Sequence, residues 1–350
     1  MRTIEWVDGH VEVIDQTALP QQRRVALHAA SDVVEAIRRL VVRGAPALGA
    51  LGALGVALAA ARSAELGYDP DAVRTDARRI AEARPTAAHL SWAVRQVLPS
   101  VSHGPAAVLA AARTMVEADV RACATLSRLG AALLRSYVGD RPMTLLTHCN
   151  AGALACVDWG TALGVVRALH ADALIKMVVV GETRPLLQGS RITAVELAGL
   201  GVPHQVVVDA AGPSLIASGE VDAVIVGADR IAANHDVVNK VGTYPLALAA
   251  ARAGIPFVVA APSATIDPDT PTGAEVTIEY RDPDEVLLVG GWRMAPDASS
   301  ALNPAFDVTP ADLVSAIVTE ARVIEPARSA DLAGSWPPLG VPAMRMVGVS

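Results

Sequence analysis

The stretch MTLLTHCNAGALA, residues 143–155, runs from a largely apolar segment into His-Cys-Asn and then into small residues. The apolar segment reads as a buried strand, and the small residues read as the start of a helix near Ala151. A strand passing into a helix with polar groups at the junction is the building unit of a parallel sheet. Five more runs of this kind follow: LIKMVVVGE (174–182), HQVVVDA (204–210), AVIVGAD (223–229), FVVAAP (257–262) and VLLVGG (286–291). Continuous apolar strands alternating with helical stretches predict a parallel sheet covered on both faces. Ligands of such sheets bind beyond the carboxyl ends of the strands.

Upstream the pattern differs. TIEWVDGHVEVID (3–15) reads as a hairpin turning at Asp8-Gly9. Helical tracts begin near Ser31 and at Pro46, and residues 104–137 carry apolar side chains at helical spacing. Residues 138–142 form the clearest linker. The expected architecture is α/β. A smaller, mostly helical domain with a small antiparallel sheet (1–138) precedes a Rossmann-like domain with a parallel sheet (139–350).

The chain has 350 residues, of which 52% are hydrophobic and only 3% aromatic, so its cores must be built from Ala, Val, Leu and Ile. The net charge of −7 and the lack of a basic tract argue against nucleic-acid partners. Acidic residues interrupt the N-terminus where a signal peptide would be apolar. The longest apolar run, 45–61, falls short of the roughly 20 residues of a bilayer span. The expectation is a soluble cytoplasmic protein with no membrane partner. The three cysteines, Cys123, Cys149 and Cys156, form no CxxC pair, which fits neither a disulfide framework nor a structural zinc site. A Walker A loop, HExxH and GxSxG are all absent, and the glycines at 49, 52 and 55 lie within a helix-like run.

Polar residues collect at the predicted strand ends: His148-Cys149-Asn150, Glu182-Thr183-Arg184, Asp209, Asp229-Arg230 and Ser263-Ala264-Thr265. Singly, each is as well explained by a helix cap or a solvated loop. Together they suggest a site. A helix starting at Ala151 would favour the Cys149 thiolate, against the alternative of a buried, inert thiol. His148, next to Cys149 on a strand, points to the opposite face and reads as structural. Asp229, ending an apolar strand, could sit partly desolvated and serve as a general acid, or pair with Arg230. Arg43-Gly44-Ala45-Pro46 would offer helix N–H groups to an anion. Asn239 and Lys240 place an amide and a cation soon after Asp229. A helix from Gln188-Gly189-Ser190-Arg191 would display Glu196 near its middle.

RGAPALGA (43–50), ARPTA (83–87), THCNAGALA (147–155), ETRPLLQGSRITAVEL (182–197), GADRIAANHDVVNKVGTY (227–244), APSATID (261–267) and NPAFDVTP (303–310) occur in this order. As a set they resemble the methylthioribose-1-phosphate isomerase family, which is shared with the α, β and δ regulatory subunits of the eukaryotic initiation-factor-2 guanine-nucleotide exchange factor. The resemblance spans nearly the whole chain. It implies the two-domain fold expected above, a homodimer and a reaction without metal or cofactor. It places the catalytic pair on Cys149 and Asp229, with Asp229 as proton donor. It places the substrate contacts on Arg43, Gly44, Ala45, Arg84, Gln188, Asn239 and Lys240. Asp158-Trp159, His235 and Tyr280 depart from the family's usual pattern and bear on the edge of the pocket.

The substrate so implied is a furanose carrying phosphate on its anomeric carbon, which blocks spontaneous ring opening. An acid must protonate the ring oxygen, and hydrogen must move from C2 to C1 to give the ketose 1-phosphate. Rival readings are an isomerase of 5-deoxyribose 1-phosphate or ribose 1,5-bisphosphate, a non-catalytic regulatory subunit and a sugar-phosphate binding protein. A regulator has no need of a Cys–Asp pair, and a bisphosphate would need a second cationic cluster.

Overall fold

The computed structural model describes residues 2–84 and 88–326. Pro85, Thr86 and Ala87 of ARPTA, and residues 327–350, lie outside the described residues. Internal packing divides the chain into one unit of Met1–Thr125 with Ala151–Gly164, and a second of Leu126–Asn150 with Val165–Ser350. The division falls inside a long helix rather than at 138–142, and residues 151–164 group with the first unit.

The first unit opens with an antiparallel sheet of β1 (Ile4–Val7), β2 (His10–Ile14) and β3 (Arg24–Leu27). Asp8 and Gly9 both take positive φ, as a two-residue hairpin turn requires. Helices α1 (Ala30–Arg38), α2 (Ala45–Glu65), α3 (Pro70–Ala81), α4 (Ala88–Val97) and α5 (Pro105–Val138) follow, α5 ending in the second unit. Helix α2 is apolar all round because it is the core of its unit. At 21 residues it is long and apolar enough to cross a membrane, unlike the run read at 45–61, and 78% of its most apolar window is buried. Its GxxGxxG stripe is a packing device. A Cβ on Gly52 would lie 2.7 Å from Leu90 of α4, and one on Gly55 3.0 Å from Val33 of α1.

The second unit holds a seven-stranded sheet. Its strands are β4 (Met143–Thr147), β5 (Ile175–Gly181), β6 (His204–Val207), β7 (Ala223–Val226), β10 (Phe257–Ala260), β15 (Ala316–Val318) and β16 (Val323–Ile324). Their order is β16-β15-β10-β7-β4-β5-β6, parallel except for β16. Strands β4, β7, β10 and β15 are buried along their whole length, which explains their unbroken apolar sequence. Connecting helices are α6 (Ala162–Ala171), which starts in the first unit, α7 (Ala194–Gly199), α8 (Ala211–Ala217) and α9 (Thr243–Ala253). A second, four-stranded sheet has the order β11 (Ile266–Asp267), β8 (Arg230–Ala232), β9 (Val237–Lys240), β14 (Phe306–Thr309).

Two expected elements are absent. VLLVGG is not a strand of the parallel sheet: it spans the end of a one-turn helix, α10 (Asp284–Leu287), and the start of a ribbon of β12 (Leu288–Val289) and β13 (Trp292–Arg293). Gly290 and Gly291 both take positive φ and turn the chain back at once. Nor does a helix begin at Ala151. Residues 151–161 form a loop closed on itself, with the N–H groups of Thr161 and Leu163 donating to the Ala151 carbonyl at 2.8 and 3.2 Å. Gly152 and Gly160 touch so closely that a Cβ on Gly160 would lie 2.4 Å from the Gly152 Cα. The alanines that suggested a helix form only one 3-10 turn, Ala153–Ala155, within this loop.

Candidate active site

The large sheet reverses its strand order between β4 and β7. Strands β5 and β6 build outward on one side, and β7, β10 and β15 on the other. Loops leaving neighbouring strands at such a point diverge and open a crevice. Cys149 lies two residues beyond β4, and Asp229 three residues beyond β7.

Cys149 is buried and takes φ +60°, a left-handed conformation that non-glycine residues rarely adopt. Both of its peptide groups are held by buried threonines. The Cys149 N–H donates to Thr183 Oγ1 at 2.9 Å, and Thr193 Oγ1 donates to the Cys149 carbonyl at 2.5 Å. Thr183 is itself at φ +66° and donates to the Gly181 carbonyl at 2.9 Å. Asp209 fixes the next turn by accepting from the N–H groups of Thr183 (2.8 Å) and Arg184 (2.7 Å). Asn150 donates to Glu196 of α7 at 2.8 Å, so the expected display of Glu196 serves to anchor the residue after the cysteine. The thiol does not stand on a helix N-terminus, because the helix expected at Ala151 is absent.

Gln188 lies in the same wall. Its neighbour Gly189 packs where a Cβ would lie 3.1 Å from Thr183 Oγ1. Gln188 is 5% exposed, and its Oε1 is buried without a hydrogen-bond partner, as befits an atom that meets a ligand.

The other wall comes from the small sheet. Asp229 donates its N–H to the Val238 carbonyl of β9 at 3.0 Å. Its side chain is exposed, which corrects the expected partial desolvation: the residue occupies the short turn joining β7 to β8, outside the buried strands. Arg230 pairs with Asp267 at 3.0 Å. Asn239 is buried and donates to Thr243 Oγ1 at 3.0 Å. The Lys240 ammonium donates to the Ala305 carbonyl at 2.7 Å and lies 4.5 Å from the Phe306 ring centre.

Asp307, across the strand pair from Asn239, was not singled out from sequence. Its Oδ2 accepts from the N–H groups of Gly242 (2.7 Å) and Tyr244 (3.1 Å) at the start of α9, while its Oδ1 is buried without a partner. Burial pushes this carboxyl up to about 6, although those N–H groups and Lys240 draw it down. The signal was present as the only acidic residue in NPAFDVTP, but its partners lie more than sixty residues away.

Arg43, Gly44, Ala45 and Arg84 belong to the first unit. Gly44 caps α2 at φ +98°, and a Cβ there would lie 2.5 Å from the Ala155 carbonyl oxygen. Its glycine is therefore required by the chain's own backbone. Ala45 opens α2 and Arg84 follows the end of α3; Arg43 and Arg84 are both half-buried. Of the departures, His235 takes φ +71°, which explains why glycine suits that position, and Tyr280 is exposed on the loop bridged to Pro304. Asp158 accepts the N–H of Trp159. Among the described residues no group of three or more His, Cys, Asp or Glu could hold a metal ion.

Residues 41–326 match the Initiation factor 2 subunit family. A methylthioribose-1-phosphate isomerase of Pseudomonas aeruginosa is 47% identical over 93% of this chain and 92% of its own. A probable bifunctional methylthioribose-1-phosphate isomerase/methylthioribulose-1-phosphate dehydratase of Nocardia farcinica is also 47% identical, and this chain spans 59% of its length. Among solved structures, 5-methylthioribose 1-phosphate isomerase from Pyrococcus horikoshii is 37% identical, with a TM-score of 0.84 over 93% of this chain and 92% of that one. The translation initiation factor eIF-2B delta subunit from A. fulgidus is 40% identical, with a TM-score of 0.83 over 93% and 96%.

Proposed function

Since the chain belongs to the Initiation factor 2 subunit family, we propose that Cys149 and Asp229 are the reacting pair of its sugar-phosphate chemistry. The protein is an aldose–ketose isomerase of methionine salvage that converts 5-methylthioribose 1-phosphate to 5-methylthioribulose 1-phosphate. The observation that carries the assignment of the pair is topological. Cys149 and Asp229 leave the two adjacent strands between which the strand order reverses.

In this reading Asp229 gives its proton to the ring oxygen as the C1–O bond of the ring breaks, and it is reprotonated by the proton that leaves the C2 hydroxyl as C2 becomes the ketone. Cys149 works at the C1–C2 edge, where hydrogen leaves C2 and arrives at C1. Its backbone is clamped on both sides, so the thiol is placed before substrate enters. Gln188 Oε1 and the Asn239 amide orient sugar hydroxyls or phosphate oxygens. Lys240 holds the phosphate, and the resemblance gives Arg43, Gly44, Ala45 and Arg84 of the first unit to substrate binding as well. Lys240 is kept near its task by the Ala305 carbonyl and the Phe306 ring. We also propose a cytoplasmic homodimer without nucleic-acid or membrane partners. The net charge of −7 and the burial of α2 support the last two points.

Proton and phosphorus NMR of the protein with methylthioribose 1-phosphate, and separately with 5-deoxyribose 1-phosphate, tests the reading. Faster conversion of the first is expected. Faster conversion of the second would move the protein to disposal of that sugar, and conversion of neither would favour a regulatory subunit.

A further inference from the structure

His148 is one residue from the thiol and is 3% exposed. Its Nε2 lies 2.8 Å from the Val241 carbonyl oxygen. A carbonyl can only accept, so Nε2 carries the proton. Burial lowers the pKa of the ring, while the Val241 carbonyl and Asp209 oppose that shift. The ring lies between two glycines. A Cβ on Gly181, the last residue of β5, would be 2.9 Å from Nδ1, and one on Gly242 2.8 Å from Nε2. Nδ1 is 3.7 Å from Asp209, whose carboxylate already holds the Thr183 turn beneath Cys149. Val241 directly follows Asn239 and Lys240, and Asp307 holds the same turn from its other side through Gly242 and Tyr244. The imidazole thus joins the strand end that carries the thiol to the turn that ends the phosphate-binding strand.

We propose that His148 is a positioning residue that sets Cys149 against Asn239 and Lys240 through its hydrogen bond to Val241. The proposal rests on the roles given above to those three residues. It takes no proton from substrate; its work is to keep two loops from different sheets in one register.

The test compares His148→Leu, His148→Gln and Gly181→Ala with the parent, measuring kcat, KM for methylthioribose 1-phosphate and melting temperature. Leucine removes the donor, so kcat should fall and KM rise together, each by roughly tenfold, as expected for small misplacement of reacting groups. Glutamine reaches as far and carries an amide N–H, so it should recover both to within about threefold. Gly181→Ala leaves the ring's chemistry intact but crowds it together with Asp209 Oδ1, 3.1 Å from the added Cβ, and should reproduce the double defect in milder form. If leucine lowers only the melting temperature, leaving kcat and KM of the folded enzyme unchanged, the proposal is wrong. It is also wrong if glutamine is as damaging as leucine. Should the leucine variant not fold, Gly181→Ala decides by the same criterion. Cys149→Ser separates the two levels: an active serine variant overturns the site itself, whereas a dead serine variant beside an indifferent His148 overturns only this inference.

Discussion

The two walls of the crevice are built differently. The β4–β5 wall presents Cys149 on a backbone fixed by three buried side chains, Thr183, Thr193 and Asn150. The β7–β9 wall presents an exposed carboxylate, Asp229, and a half-buried lysine. Position is what hydrogen transfer at carbon demands, since small displacements carry large rate penalties. A general acid must hold its proton when substrate is bound, so in the proposed reaction the exposed Asp229 is desolvated only as substrate covers it. The rigid wall is ready beforehand, and the open wall is completed by substrate.

This contrast can be broken at its centre. Cys149→Ser and Asp229→Asn should each lower kcat by roughly 10²–10⁴ with melting temperature nearly unchanged; steady-state kinetics beside thermal melting reads both. A retained rate in either variant removes that residue from the pair. Lys240→Met should then reduce kcat/KM by about ten- to a hundredfold through the lost charged contact to phosphate. The loss should appear chiefly in KM, because phosphate is bound throughout the reaction.

Thr183→Val sharpens the contrast, since it leaves the buried Cys149 N–H without its acceptor. A loss of about 1–3 kcal/mol in stability is expected, with kcat falling more than KM rises; urea unfolding and kinetics measure the two. On the opposite wall the test is pH. The Asp307 carboxyl titrates at about 6 in the fold against 3.8 ordinarily, so the folded state binds that proton more tightly. Its stabilisation is complete below about 3.8 and is lost as pH rises through about 6. Relative to Asp307→Asn, the parent should lose on the order of 2 kcal/mol between pH 4 and 6, as followed by denaturant titration. A constant difference across that range would show that Asp307 does not titrate there. The smallest effect is His235→Gly at φ +71°: a gain of about 0.5–1 kcal/mol with no kinetic change.

The candidate site was proposed from the residues. The strand ends were visible because buried parallel strands are continuous apolar runs, and polar side chains stand out where they stop. The identities of Cys149, Gln188, Asp229, Asn239 and Lys240 came from the ordered motifs. Asp307 and the linking role of His148 were not visible, since each acts on a backbone atom far away in sequence. His148 reaches Val241, 93 residues on, and Asp307 reaches Gly242 across 65.

The sequence by itself determined the α/β class, the N-terminal hairpin, the long helices and five of the six parallel strands of the large sheet, missing β15 (Ala316–Val318). Each is encoded within a few consecutive residues by periodicity, turn chemistry or apolar continuity. Only the tertiary structure decided the remainder. Residues 151–161 close into a loop because two glycines eight residues apart touch. VLLVGG turns back on itself, and β9 finds its partner in β14, with Asn239 opposite Asp307. Local signals rank what a segment can form, but long-range pairing and close backbone approach select what it does form.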